Sequence, residues 1–386
     1  MQRVILIIGR NTAERGWTMV SIGFTGDIAF TKYFKEAGSA SACLDESVKS
    51  FLKKADYCVC NLEGPATDRA PEKKGDYIHS SSCALAAELP ELNLKIWDLA
   101  NNHSLDFGSA GIEDTLELAK RTGCATLGAG NDLDHAAQPL ILDGAGGVGL
   151  LAVTYSRAFP KDGSAFACLN WEESDRIKNS IQKIKAACRW CVVIVHGGDE
   201  FCGIPMPYTR DKYQEMLSWG ADILVGHHPH VVQNFETVGD KTIFYSLGNF
   251  IFDTDYQRAQ KNTDVGILLK IRFYEDYYEW DHLPVRIRRD KSFIEATSDP
   301  AVFSDISERD YQKIAPFAAA AFLEAEKRKA IFLHPKKYET YSPLRWFIRE
   351  LRRCRKPDNR CVTRLKYKAK LIRLKDGNLR RIIQEL

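Results

Sequence analysis

Six short apolar runs, at residues 20–24, 57–60, 94–99, 150–155, 191–195 and 223–225, set the architecture open to this chain. They do not alternate apolar with polar side chains, as a strand with one wet face would, so both faces of each strand have to be covered. Stretches with helical spacing lie between several of them, at 112–119, 177–188 and 208–219. Buried strands interleaved with helices make an α/β layered domain. After Gly226 the pattern changes. Segments 231–238, 241–244, 265–273 and 279–287 read as successive strands, with Val238-Gly239-Asp240-Lys241 as a hairpin connection. The domain therefore ends in a mostly antiparallel portion near Arg289. Residues 304–329 read as helical, with an Ala-rich centre at 318–321 suited to close packing.

Polar residues gather where the apolar runs stop. Thr25-Gly26-Asp27 closes the first, Asn61-Leu62-Glu63-Gly64 the second and Asn101-Asn102-His103 the third. His196-Gly197-Gly198-Asp199-Glu200 and Gly226-His227-His228-Pro229-His230 close two more. The carboxyl ends of strands in an open α/β sheet border the crevice that binds ligand, so these ends converge on one pocket. A lone Gly-Asp or Asn-His is commonly a turn or a helix cap. Three histidines within 227–230, out of nine in the chain, point instead to ligand or proton work. Carboxylate and amide oxygens with imidazole nitrogens suit Mn²⁺, Fe²⁺ or Zn²⁺ in an open site; a set without cysteine argues against a closed structural zinc. One or two such ions would activate a water and polarise a phosphoryl or acyl oxygen. His103, three residues before Asp106, is a candidate proton donor oriented by that carboxylate. His79, His135, His282 and His334 lack comparable surroundings and are read as structural.

With 386 residues, 45% of them hydrophobic and 27% charged, the chain can bury one large core or two modest ones. No apolar run approaches the ~20 residues of a membrane-spanning helix. The run at 4–8 is also shorter than the roughly 7–15 residues of a signal-peptide core. A cytoplasmic protein is expected. The eleven cysteines, odd in number and often inside apolar segments, read as reduced, buried thiols. Cys188 and Cys191 form a CxxC without a second pair at zinc-finger spacing.

The two ends differ from the body. Residues 1–18 form an extension that either precedes a natural start at Met19 or adds an edge strand. Residues 345–386 hold fifteen Lys/Arg against four Asp/Glu, which leaves the rest with 39 basic and 47 acidic residues. Trp346, Phe347, Ile348, Leu351, Leu365, Ile372 and Leu374 give this basic tail near-helical apolar spacing. Two readings stand: an amphipathic element drawn to the anionic inner membrane face or a polyanion, or helices packed on the domain with a solvated charged face. Nucleic acid is not an expected partner, since no recognised binding motif accompanies the charge.

Six ordered blocks carry a resemblance. They are Gly26-Asp27; Asn61-Leu62-Glu63; Asn101-Asn102-His103 with Asp106, Gly108 and Gly111; His196-x-Gly198-x-Glu200; Gly226-His227-His228-Pro229-His230-Val231-x-Gln233; and Ser246-Leu247-Gly248-Asn249-Phe250. In these the chain resembles the CapA family, poly-γ-glutamate capsule biosynthesis proteins with the calcineurin-like metallophosphoesterase fold. The resemblance implies a four-layer α/β/β/α sandwich of the metallo-dependent phosphatase type over residues 19–290. A helical appendage at 291–340 and a basic helical tail at 341–386 are expected to follow.

The resemblance further implies Asp27, Glu63, Asn102, His196, His228 and His230 as ligands of one or two divalent ions, with His227 competing with His228 for one position. His103 takes the catalytic histidine position, with Asp106 and Glu200 beside it as acid/base candidates. Two departures matter: the phosphoesterase Asp-x-His is Asp27-Ile28-Ala29 here, and Glu63 stands for the bridging Asp, as is usual in the CapA branch. Losing one imidazole is expected to weaken at least one metal position. The implied function is metal-assisted hydrolysis or transfer at a phosphoester or amide bond of an anionic capsule or cell-envelope polymer, or of a phosphoester or peptide substrate. Two rivals use the same residues differently: a metal-independent acid/base enzyme of the epimerase kind, working through His103, His196, His230 and Asp27, and a non-catalytic polyanion-binding assembly component.

Overall fold

A computed structural model describes residues 6–8, 19–71, 78–155, 166–298 and 303–333. The strands run, in chain order, β1 (Leu6–Ile8), β2 (Met19–Ile28), β3 (Tyr57–Leu62), β4 (Leu94–Asp98), β5 (Ala125–Leu127), β6 (Ala129–Gly130), β7 (Leu140–Leu142) and β8 (Val148–Thr154). They continue with β9 (Ala167–Cys168), β10 (Trp190–His196), β11 (Ile223–His227), β12 (Phe235–Val238), β13 (Lys241–Phe244), β14 (Asn249–Ile251), β15 (Val265–Tyr274), β16 (Tyr278–Arg288) and β17 (Phe293–Ala296). The helices are α1 (Glu46–Lys53), α2 (Cys83–Ala86), α3 (Gly108–Thr122), α4 (Leu133–Ala136), α5 (Ser174–Ala187), α6 (Pro207–Ser218), α7 (Asp255–Arg258) and α8 (Glu308–Leu333).

One sheet has the order β1-β7-β8-β10-β11-β13-β12, and the other β17-β16-β15-β2-β3-β4-β5 with β14 beside β2. β8, β10, β11 and β13 are parallel, as are β2 to β5, whereas β15 to β17 form the antiparallel end. Val20, Ile22 and Phe24 of β2 pack with Leu150, Val192, Ile194, Ile223 and Val225 in a core between the two sheets. The intervening residues Leu151, Val153, Val193, Val195 and Leu224 face outward against Ile177, Ile181 and Ile184 of α5 and Tyr213, Met216 and Leu217 of α6. Cys58, Cys60, Leu62 and Leu94 likewise face Val48 and Leu52 of α1 and Ile112 and Leu118 of α3. These inner strands are apolar on both faces because each face belongs to a different core. The result is the four-layer α/β/β/α sandwich.

The helix ends follow local chemistry. Asp45 caps α1 by accepting from the Ser47 N–H, and α3 stops at Gly123, whose φ of 72° suits a residue without Cβ. One of the two readings of residues 1–18 is met, and two other sequence expectations change. The N-terminal extension supplies an edge strand, β1, parallel to β7. The expected boundary at 290 falls inside the sheet, because β17 pairs antiparallel with β16, Val285 opposite Ala296. Four residues are too few for a strand period to show in sequence, so the span 291–340 is not helical from its start. The strand expected at 231–238 shrinks to β12, because 228–234 forms the loop that carries His228 and His230. The basic tail at 341–386 lies outside the described residues. Among those described, no helix is long and apolar enough to cross a membrane.

Two glycines let the strand ends close on one another. A Cβ on Gly226 would stand 2.0 Å from the Tyr245 carbonyl oxygen, and one on Gly26 would stand 2.3 Å from that of Gly248. Backbone cannot yield there as a flexible side chain could. Gly226→Ala is expected to cost about 1–3 kcal/mol of stability, read as a lower urea midpoint at unchanged m value.

Candidate metal centre

Asp27 is the penultimate residue of β2, and its register partner on β3 is Asn61. Asn61 donates from Nδ2 to Asp27 Oδ1 at 2.8 Å, which fixes the carboxylate plane. Glu63 follows β3, its backbone N–H donating to the Ile28 carbonyl at 2.8 Å and its side chain fully buried. Asn101, beyond β4, accepts at Oδ1 from the N–H groups of Gly64 and His103 at 3.2 and 3.1 Å. Its Nδ2 donates to the Leu62 carbonyl at 2.8 Å. One amide thus ties the loop carrying Asn102 and His103 to the end of β3.

The other sheet contributes His196 and His227, register partners at the ends of β10 and β11. His196 Nε2 lies 2.7 Å from Asn102 Oδ1, a contact that joins the two sheets. Beyond β11 the chain turns through His228 and His230 at φ of 93° and 57°. Non-glycine residues keep such a backbone only where their surroundings over-determine it, which is common at functional sites. His230 Nδ1 lies 3.0 Å from Asn249 Oδ1 and 3.1 Å from Asp27 Oδ2, and its ring stacks on Phe252 with centroids 4.9 Å apart. Glu63 Oε1 stands 3.7, 3.8 and 3.9 Å from Nε2 of His230, His103 and His196. His227 Nδ1 is 3.3 Å from Asp27 Oδ1. His228 turns the other way, grouping with Glu200. The two adjacent histidines therefore serve different sides of the pocket.

Two donor groups have their ligand atoms within 4.8 Å of one another: Asp27, Glu63 and His230, and Glu200, His228 and His230. His230 belongs to both. Asp27 Oδ2, both Glu63 oxygens and Nδ1 of His196, His227 and His228 are buried without a hydrogen-bond partner among the described residues. The Nδ1 atoms that approach Asp27 come close without hydrogen-bonding alignment. Each unsatisfied buried polar atom costs about 1–3 kcal/mol, and a divalent cation takes up carboxylate oxygens and imidazole nitrogens of this kind. The residues fit such an ion.

The electrostatics agree. Burial pushes Glu63 up to about 7. Burial also pushes Asp27 up, but the imidazoles of His227 and His230 outweigh it and hold the carboxyl well below its usual range. Burial pulls His196 far down and His228 down to about 3, so both are neutral, as a ligand must be. His230 is the exception: burial pulls it down, yet Glu63 and Asp27 raise it to about 9. The carboxylates therefore keep a proton on His230 that an incoming cation has to displace. Mn²⁺ binding near neutral pH is expected to release a proton, and affinity to climb as pH rises toward about 9. Titration calorimetry in two buffers of different ionisation enthalpy reads that proton directly.

His103 and Asp106 form a dyad at the rim, with Nδ1 2.7 Å from Asp106 Oδ2. Burial pulls the imidazole down and Asp106 outweighs it, leaving His103 above its ordinary value. Asp106 also accepts from the His79 N–H at 3.0 Å, and the His79 ring meets that of His103 edge-on, 4.2 Å between centroids. Glu200 is placed differently from a proton donor. Burial pushes it up, but Lys329 beside it holds it far below the usual carboxylate range, and it stands with His228 and His230. Asp27, Glu63, Asn102, His103, Asp106, His196, Glu200, His228 and His230 are brought together in one cluster of contacts. His79 and Lys329 were not expected there. His79 has no motif around it, and Lys329 is one lysine of a long helix far along the chain.

Residues 21–254 match the family described as bacterial capsule synthesis protein PGA_cap, which is more than half of the chain. The chain belongs to this family. The PGA biosynthesis protein CapA of Bacillus subtilis is 29% identical over 262 residues, covering 65% of this chain and 68% of that protein. The capsule biosynthesis protein CapA of Bacillus anthracis is 30% identical over 267 residues, covering 65% of this chain and 64% of that one. The chain thus spans about two thirds of these CapA relatives, and it is a CapA-like capsule synthesis protein. A 5′-nucleotidase from Candida albicans overlays with a TM-score of 0.43 at 9% identity, covering 83% of this chain and 60% of that one. A hypothetical protein from Thermus thermophilus overlays at 0.42 with 12% identity, covering 69% and 98%. The layer architecture rests on the strand pairing above and not on these loose overlays.

Proposed function

We propose that this PGA_cap family member carries out metal-assisted hydrolysis or transfer at a phosphoester or amide bond during synthesis of an anionic capsule polymer of the poly-γ-glutamate type. The observation that carries this reading is the set of buried, unsatisfied carboxylate and imidazole atoms converging on His230. A divalent ion held by Asp27, Glu63 and His230, or by Glu200, His228 and His230, would lower the pKa of a water and polarise the scissile group. Asn102 and His196, locked together at 2.7 Å, offer further donors beside Glu63. The chain's own residues handle the proton. Asp106 holds His103 by Nδ1, which turns Nε2 toward Glu63 at 3.8 Å and so toward the cluster. Protonated at Nε2, His103 can pass its proton to the departing oxygen or nitrogen. In this reading the basic residues of 341–386 meet the polymer or an anionic membrane face on the cytoplasmic side, a contact that salt should weaken.

Ion content of the purified protein, with turnover of an aryl phosphodiester and a γ-glutamyl amide, tests the proposal. His196→Ala and His230→Ala are each expected to lose bound metal and activity together. Turnover that survives both substitutions would sink it. Chelator-insensitive turnover with deuterium uptake from solvent would assign the pocket to proton-transfer chemistry instead.

A further inference from the structure

Helix α8 lies beyond the segment 21–254 that matches the family, yet it reaches the candidate centre. Its first half is anchored by Tyr311, whose hydroxyl donates to the Pro205 carbonyl at 3.0 Å and whose ring lies 4.5 Å from the Arg210 guanidinium carbon. Phe322 and Ala325 are buried along the middle. Its last turns are held by Arg328, which donates from Nε to Gln260 Oε1 at 3.2 Å, and by Phe332, 5.4 Å from the Tyr256 ring. Between these anchors Lys329 Nζ meets Glu200 Oε2 at 2.7 Å. Tyr256 donates its hydroxyl to the same oxygen at 3.4 Å, and Glu326 steadies the ammonium from the helix side at 3.1 Å. Both contacts to Glu200 fall on Oε2. Glu200 offers one carboxylate oxygen to the donor group it forms with His228 and His230.

We infer that Lys329 is a positioning residue for the ion at Glu200, His228 and His230, so that the centre is completed by a helix outside the family segment. The inference rests on the metal reading above and adds to it a residue that the family match does not contain. A glutamate side chain free to rotate would lose conformational entropy on ligating an ion; an ammonium and a hydroxyl held on one of its oxygens impose that order beforehand. Partners that stand behind a ligating carboxylate typically contribute 10–100-fold in metal affinity. Lys329 and Glu200 are 23% and 20% exposed, so removing the lysine leaves a carboxylate within reach of water and not an uncompensated charge in the core.

The test titrates metal-free, full-length protein with Mn²⁺ by calorimetry, as wild type, Lys329→Met, Lys329→Arg and, at an exposed neighbour, Lys327→Met. The wild type is expected to bind Mn²⁺. Lys329→Met is expected to weaken that binding by about 10–100-fold. Lys329→Arg restores most of the loss, and Lys327→Met behaves as wild type. Thermal melts in chelator, unchanged across the series, separate this effect from misfolding. Lys329→Met binding Mn²⁺ like wild type would overturn the inference. So would Lys329→Arg binding as weakly as Lys329→Met, which would assign the loss to packing. Wild-type protein that takes up no Mn²⁺ is a different result, and overturns the metal reading itself.

Discussion

His230→Ala is expected to bind no Mn²⁺ at concentrations that saturate the wild type, and to lose turnover by on the order of 10³-fold, the several kcal/mol a bound Lewis acid supplies. No other side chain belongs to both donor groups. One ring nitrogen faces Asp27 and Asn249 and the other faces Glu63, while Phe252 holds the ring plane. Without the imidazole, Asp27 and Glu63 face each other in the interior with their principal cationic neighbour gone, so either a proton or misfolding must compensate. Asn102→Ala makes the contrast. It removes only the 2.7 Å partner of His196 and should weaken binding by about 10-fold. Metal content by mass spectrometry, read beside turnover, distinguishes the two variants.

Asp106→Asn is expected to retain its metal and still lose about 10²–10⁴-fold in turnover, the range for a positioned general acid. The carboxylate fixes which His103 nitrogen faces the cluster and, against the downward pull of burial, raises the imidazole above its ordinary value. An amide can turn its N–H toward Nδ1 and so present the wrong tautomer. His103→Gln should lose as much, and the double variant no more than the worse single one, because the two residues act as a unit. Equal losses of metal and turnover in Asp106→Asn would show instead that the dyad belongs to the binding site.

Much of this was legible in the sequence, for a physical reason. Runs such as Leu150–Ala152 and Val192–Ile194 send alternate residues into two different cores, and only a strand covered on both faces can be apolar at every position. Once those runs are strands, parallel pairing brings their carboxyl ends together, and the polar residues at 27, 61–63, 101–106, 196–200 and 227–230 must meet. What sequence could not supply was orientation. His227 and His228 are neighbours in the chain, and only the left-handed turn at His228 sends one toward Asp27 and the other toward Glu200. His79 reaches His103 through a loop with no periodicity to read. Lys329 enters from a helix whose packing partners, Pro205, Arg210 and Gln260, are scattered through the chain.

The central claim is that the converging strand ends hold divalent cations. Anomalous diffraction from crystals grown with Mn²⁺ tests it most directly. The account predicts an anomalous peak in contact with His230, among Asp27 and Glu63 or among Glu200 and His228. A well-ordered pocket with no anomalous density between these side chains would contradict it.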